Sequence, residues 1–283
     1  MRSWLAQFRM HTAANLDEAL SLLSAAPGEW TPFAGGTDLM VLLEAGQLRG
    51  RRFLDLWKIE ELRGITASND AVTIGALATY TDLLTHPVVA SDFPLLCSAA
   101  RETGAVAIQN RGTVGGNIAN ASPAADLPPA LLVYDAALEL ASSRGRRKVS
   151  YDSFHTAYKR MDLAPDELVV SVTLPRRGRE WKQAYRKVGT RRAQAISKIC
   201  FAAASDIDGG VVRDIRIAFG SVAPTVVRAL SAEAVLRGRP LGAEPIAAAR
   251  AALGDDVKPI DDIRSTASYR LTVAGNLLEE FLS

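Results

Sequence analysis

Apolar positions along the chain fall into short periodic blocks separated by turn residues. Leu16, Ala19, Leu20, Leu22 and Leu23 line one helical face. Asn15 and Glu18 stand at capping-box spacing ahead of it, and Pro27 with Gly28 closes it. Ordered structure is therefore expected from about residue 12. Residues 31–33, the pair Gly35-Gly36 and the apolar run 39–43 read as a short strand or turn feeding a helix. Residues 53–57 and 72–77 alternate as strands do, and helical patterns follow at 81–85 and 94–103.

The next stretch, 104–129, is dense in Gly, Asn, Ser and Pro and carries few charges. It is too long for an ordinary connector, and segments of this kind are usually functional. Beyond it, 130–134, 137–141 and 167–174 read as strands, the last ended by Pro175. The charged run PRRGRE at 175–180 marks a domain boundary. A second unit then holds strand-like 183–187, apolar 199–205, a turn at 208–210, alternating 215–219, and helices at about 231–237, 245–253 and 267–281. Strands followed by helices predict an α+β sandwich.

Composition narrows the field. With 283 residues, 48% hydrophobic and 23% charged, the chain is globular and long enough for about two domains. A net charge of +2 provides no global field to gather nucleic acid or an anionic membrane, so neither is expected as a partner. No window reaches the length of a membrane span, and the start MRSWLAQFRM is broken at Gln7 and Arg9 before a signal-peptide core forms; a cytoplasmic location is the expectation. Cys97 and Cys200 are far apart in apolar surroundings, which excludes a disulfide framework, a zinc finger and a cysteine-bound cluster and predicts buried free thiols. His11, His86 and His155 have no acid or metal partner at a recognised spacing, and the hydroxyl-rich ANAS at 119–122 lacks the elbow of a serine nucleophile.

Candidate chemistry lies in two glycine pairs, AGGT at 34–37 and TVGGN at 113–117. Glycine permits positive φ and leaves no Cβ between main chain and ligand, so amides can converge on an anionic oxygen. Neither pair fits the Rossmann or Walker A spacing. Two such turns about 80 residues apart would suit a pyrophosphate gripped from two segments, as in an extended dinucleotide such as FAD. Thr37, Thr113, Asn117, Asn120 and Ser122 offer neutral hydrogen bonds beside them.

The segments TPFAGGTDLM (31–40) and GTVGGNIANASPAADLPPAL (112–131) resemble the paired FAD motifs of the flavoprotein (medium) subunit of molybdenum hydroxylases, the xanthine dehydrogenase and carbon monoxide dehydrogenase family. The resemblance continues through AYRKVGTRRAQAISK (184–198), AFGSVAPTVVRA (218–229) and DDIRSTASYRLTVAGNLL (261–278), and so covers the chain. It implies an α+β fold: a two-lobed FAD-binding domain of the p-cresol methylhydroxylase and vanillyl-alcohol oxidase type over residues 1–176, its lobes parting near residue 57, then a smaller α+β domain of the carbon monoxide dehydrogenase flavoprotein type over 177–283. It implies non-covalently bound FAD, a small [2Fe-2S] partner and a large molybdenum-cofactor partner in a heterotrimer or a dimer of heterotrimers, and NAD or another external acceptor.

By the same match, Pro32 and Phe33 lead into Ala34, Gly35, Gly36, Thr37 and Asp38, whose backbone and hydroxyl groups would meet the pyrophosphate; Thr113, Gly115, Gly116 and Asn117 would do so from the second motif. Ser122 and Asp126 would lie beside the sugar-alcohol chain or the adenosine part, Asp126 being read equally as a helix N-cap. Ile108 and Val169 would touch the rings, and Lys187 would raise the flavin potential with its charge. Within 188–198 the chain carries Ala193, Gln194 and Ala195 where vertebrate xanthine oxidoreductases carry acids, and Arg191 and Arg192 are basic, which changes the field met by an acceptor, puts NAD in doubt and leaves quinones, ferredoxin or dioxygen open. The competing expectations are a stand-alone flavin oxidoreductase of the same fold and a non-catalytic assembly subunit without FAD.

Overall fold

The computed structural model describes residues 7–178, 180–191 and 194–283; the expectations for residues 1–6, for Arg179 in the charged junction and for Arg192 and Ala193 in the loop fall outside the described residues. The chain opens with β1 (Arg9–Thr12), α1 (Leu16–Ala25), β2 (Trp30–Phe33), α2 (Leu39–Glu44) and β3 (Arg52–Asp55), which build a parallel sheet in the order β1-β3-β2. Helix α1 begins where Asn15 predicts, its side chain accepting from the Glu18 amide at 2.9 Å. The Glu18 carboxylate reaches back to the Ala14 amide instead of Asn15, so half of the capping box forms. Leu16, Ala19, Leu20 and Leu23 bury against Leu54, Leu56 and Ile59.

The second lobe contains β4 (Ile65–Ala67), β5 (Ala71–Gly75), α3 (Tyr80–Thr85), α4 (Pro87–Asp92), α5 (Pro94–Glu102), α6 (Val106–Gln109), α7 (Val114–Ala119), α8 (Pro128–Val133), β6 (Ala137–Ser142), β7 (Gly145–Ser150), α9 (Tyr151–Phe154), β8 (His155–Ala157), β9 (Arg160–Met161) and β10 (Leu168–Pro175). Its antiparallel sheet runs β4-β5-β10-β6-β7, and β8 pairs with β9 separately. β10 is apolar almost throughout because both its faces are covered: Leu168 and Val170 join the first lobe's core, while Val169, Val172 and Leu174 join the helical side.

Two expectations need correction here. Residues 130–133 belong to helix α8, with Tyr134 as its C-cap, and do not form a strand; Pro128 and Pro129 open a helix readily, and a short apolar run buried on all sides has no readable period. The 104–129 stretch is not structureless, since it holds α6 and α7, helices of four and six residues that are too short to show amphipathicity.

The chain ends with β11 (Lys182–Val188), β12 (Ile199–Asp208), β13 (Val211–Gly220), β14 (Val227–Arg228), α10 (Leu230–Leu236), α11 (Ala243–Asp256) and α12 (Ala267–Leu282). An antiparallel sheet in sequence order carries these helices on one face around Phe201, Ile217, Phe219, Leu253 and Phe281. Its other face presents Ala202, Ala204 and Ala218 to the core of the second lobe, and α8 packs there closely because those side chains are small. Arg216 and Arg228 donate to the carbonyls of Val133 and Leu132, both at 3.3 Å, and join the Asp135 carboxylate. This contact carries β11 to the segment that follows the second glycine pair.

Candidate functional site

Strand β2 delivers exposed Pro32 and half-buried Phe33 to a turn, Ala34-Gly35-Gly36-Thr37, that enters α2 with Asp38 at the N-cap position. Gly36 has φ +74°, and a Cβ there would lie 2.5 Å from the Phe33 ring. Only glycine fits both conditions. A Cβ on Gly35 would lie 1.8 Å from the carbonyl oxygen of Arg111 and 3.3 Å from the amide nitrogen of Gly112. The first glycine pair is thus pressed against the residues that lead into the second. Among the described residues the amides of Gly35, Gly36 and Thr37 have no protein acceptor.

At the second bend, where Thr113, Gly115, Gly116 and Asn117 are the expected ligand residues, several backbone groups are already engaged: Thr113 Oγ1 accepts from the Gly116 amide at 3.1 Å as the N-cap of α7. The Gly115 amide donates to the Ala76 carbonyl at 2.8 Å, and the Asn117 amide to the Thr113 carbonyl at 2.9 Å. These donors are satisfied within the fold because the turn is the first turn of a helix. Gly115 is buried, and a Cβ there would meet Ala76 Cβ at 2.7 Å, so it serves close packing. Gly116 is exposed, and a Cβ there would meet only the Thr113 hydroxyl, at 2.8 Å. Asn117 donates through Nδ2 to Tyr80 Oη at 2.9 Å, while its Oδ1 is buried without a partner.

Ile108 keeps 37% of its surface exposed on α6, and its carbonyl accepts from Gly112 at 2.6 Å. Ser122 accepts from the Ala124 amide at 3.3 Å. Val169 is not brought to this open side; it is core on β10, against which α7 packs.

Asp126 and Lys187 meet as a buried ion pair, Oδ2 to Nζ 2.7 Å, with side chains 10% and 6% exposed. The Lys187 ammonium also donates to the Glu102 carbonyl at 2.8 Å. One reading is corrected by this pair: Asp126 does not cap α8, whose N-cap position is Leu127 with no side-chain bond. Strand β11 docks the Lys187 ammonium on the Asp126 carboxylate. Burial pushes the Asp126 carboxyl up to about 6, outweighing the attraction of Lys187. Asp126 Oδ1 is buried without a partner. Tyr185 Oη donates to the Asp126 carbonyl at 3.1 Å and lies 2.9 Å from Cys200 Sγ; burial raises the pKa of both groups. Cys97 and Cys200 are buried free thiols, as expected.

The 188–198 loop is closed at its base by Lys198 N to Val188 O at 2.7 Å, and Ser197 Oγ donates to the Ala124 carbonyl at 3.2 Å. His11 has an acid partner after all: Nε2 lies 2.7 Å from Glu18 Oε1, because β1 runs beside α1. His155 contacts the Ile118 carbonyl at 2.9 Å, and burial lowers its pKa. Tyr80, Arg111 and Lys159 border the site and went unread in the sequence. The Thr79–Asp82 capping box, which starts the helix bearing Tyr80, was a usable local signal; the other two carry none. Among the described residues no group of His, Cys, Asp and Glu is arranged to hold a metal ion, and no helix is long and apolar enough to cross a membrane.

Free amides on a glycine bend, an open Gly116 beside it and an orphan buried acceptor at Asn117 that suits a sugar hydroxyl fit the diphosphate and sugar of a dinucleotide. A parallel lobe and an antiparallel lobe meeting at that bend, with a small α+β unit docked against them, define a flavin-dinucleotide-binding protein. The chain belongs to the FAD-binding subunits of the molybdenum hydroxylase family of oxidoreductases: residues 6–177 match the FAD binding domain in molybdopterin dehydrogenase, and residues 183–283 match the CO dehydrogenase flavoprotein C-terminal domain. It is 34% identical to a xanthine dehydrogenase FAD-binding subunit of Escherichia coli over 275 residues, covering 96% of this chain and 94% of the relative. It is 32% identical to the glyceraldehyde dehydrogenase medium chain of Sulfolobus acidocaldarius over 267 residues, 94% of each. A solved structure of carbon monoxide dehydrogenase from Hydrogenophaga pseudoflava, lacking the Mo-pyranopterin moiety of its cofactor, superposes with a TM-score of 0.93 at 31% identity, over 97% of this chain and 95% of that one. The mixed fold, FAD as cofactor and the flavoprotein class follow from that membership.

Proposed function

We propose that this chain is the electron-transfer subunit of a xanthine dehydrogenase-like molybdenum hydroxylase. One observation carries the reading: Gly35 rests on Arg111 and Gly112, so the bend that holds the free amides of Gly35, Gly36 and Thr37 lies against the segment that leads to Gly116. Bound FAD supplies a carrier that exchanges electrons singly or in pairs. The chain's own residues hold it: the first bend donates to the diphosphate, Gly116 leaves room for it, Asn117 and Ser122 meet sugar hydroxyls, and Ile108 flanks a ring. Residues 1–176 form the FAD domain, with lobes parting near residue 57, and residues 177–283 form the C-terminal domain.

In this reading the substrate is hydroxylated at a molybdenum centre in a large partner, and electrons arrive through [2Fe-2S] clusters of a small partner, in a heterotrimer or a dimer of heterotrimers. The name of the Escherichia coli relative supports the xanthine-type assignment. Arg191 and Gln194 in the acceptor-side loop support an oxidant chosen differently from that of the acid-bearing loops, with NAD one candidate. Two unpaired thiols support a reducing cytoplasmic setting. Copurification from the native source, with flavin absorbance, metal analysis and a substrate screen, tests this: flavin, iron and molybdenum should travel together. A preparation without flavin absorbance would sink the proposal.

A further inference from the structure

The first bend supplies neutral amides, yet the diphosphate of a dinucleotide is anionic. Arg111, the basic residue at the seam, turns its guanidinium onto the Trp57 ring, 3.7 Å from the centroid. Lys159 behaves differently. It sits in the turn of the β8–β9 hairpin, and its ammonium donates to the Asn120 carbonyl at 2.7 Å and to Asn120 Oδ1 at 2.6 Å. Asn120 Nδ2 in turn donates to Asp38 Oδ1 at 3.2 Å. Asn120 is the C-cap of α7, and its amide bonds the Gly116 carbonyl at 3.0 Å, which places it one turn along the face that Gly116 leaves open. Asp38 directly follows Thr37. The run Asp38–Asn120–Lys159 therefore crosses from the first bend to the second and on to the hairpin.

Two features separate Lys159 from an ordinary surface lysine. Its backbone has φ +57°, and Ala121, next to Asn120, has φ +46°; both are left-handed conformations that disfavour any residue but glycine. Strain at both ends of one contact points to a geometry maintained for use. The ammonium has three donors, and two are taken by the neutral oxygens of a single residue. Burial pulls its pKa down while Asp38, acting through space, pulls it back up.

We propose that Lys159 is the counter-cation of the dinucleotide's diphosphate, and that the Asp38–Asn120–Lys159 run is a clasp across the two lobes that sets how slowly FAD leaves. The inference rests on the site reading above and adds a charged ligand from a third segment. A charge-assisted hydrogen bond lost from such a contact weakens binding about tenfold or more.

The test is FAD release and rebinding, followed by flavin fluorescence on the full chain stripped of cofactor, for wild type, Lys159→Met and Lys159→Arg. ADP, which carries the diphosphate without the flavin, serves as competitor. Lys159→Met should release FAD about tenfold faster, and ADP should compete with the same loss, while Lys159→Arg keeps most of both. Release and competition unchanged in Lys159→Met would overturn the clasp alone. Equal loss in both variants together with a lower melting temperature of the stripped protein would also overturn it, making Lys159 a brace. A wild-type chain that takes up no FAD would overturn the site reading and this inference with it.

Discussion

The α-carbon of Gly35 faces the carbonyl oxygen of Arg111 so closely that a Cβ would stand 1.8 Å from it. Backbone cannot yield as a side-chain tip can, so Gly35→Ala must push the two bends apart. The expected cost is about 1–3 kcal/mol in chemical denaturation, together with a fall in bound flavin per chain. A Gly35→Ala protein with wild-type stability and full flavin content would refute a common FAD site at the two bends.

Gly115 and Gly116 are neighbours with opposite tasks. Gly115→Ala collides with Ala76 and should lower stability by about 1–3 kcal/mol. Gly116→Val meets only the capping hydroxyl of Thr113, so the fold should lose about 1 kcal/mol while FAD retention is abolished by the branched side chain in the ligand's path. Melting curves and flavin absorbance on both variants separate the two tasks; full occupancy in Gly116→Val would remove that residue from the site.

Because Asp126 in the folded chain titrates at about 6, above its ordinary 3.8, the folded protein binds a proton there that the unfolded chain has already released. This group's contribution is complete below about pH 4 and is lost as pH rises through about 6. Asp162, Asp166 and Glu167, bonded by Arg147 and Arg144, are shifted downward and carry the opposite sign. The stability of wild type minus that of Asp126→Asn, measured from pH 4 to 7, isolates the Asp126 term and should decline across that window. A flat difference would contradict the raised pKa.

Lys187 is the charge that opposes the burial of Asp126, so removing it strands a buried carboxylate at a pH high enough to keep that carboxyl ionised, and the comparison is made there. Lys187→Ala should therefore lower the flavin potential without emptying the site and should destabilise the fold by about 3–5 kcal/mol, whereas Lys187→Ala with Asp126→Asn should bring the potential back toward wild type. Redox titration decides; equal potentials in all three proteins would remove the pair from any electrostatic role at the flavin.

Much of the fold was legible where local signals are strong. The Asn15 cap, the strands β3 and β5, and the turn at Asp208 with Gly209 and Gly210, both at positive φ, appear where their residues point, although Phe53 and Leu54 of β3 are both buried and do not alternate. The short helices α6 and α7 and the buried helix α8 were not legible, because four to six residues give too few turns for a period to emerge and burial on every side removes the polar face. At the site, glycine pairs announced bends; which of their amides stay free was not announced, since Thr113 spends its hydroxyl on its own helix.

The order of residues alone determined where the backbone may bend without a Cβ and which stretches carry caps, because these are local properties of single side chains. Tertiary structure decided everything that depends on distance through space. It set Gly35 against Arg111, docked β11 so that Lys187 neutralises Asp126, and brought Lys159 across to Asn120 and Asp38. Those meetings join segments widely separated along the chain, and they exist only because the sheets and α8 pack as bodies, a consequence of burial summed over many residues rather than of any one motif.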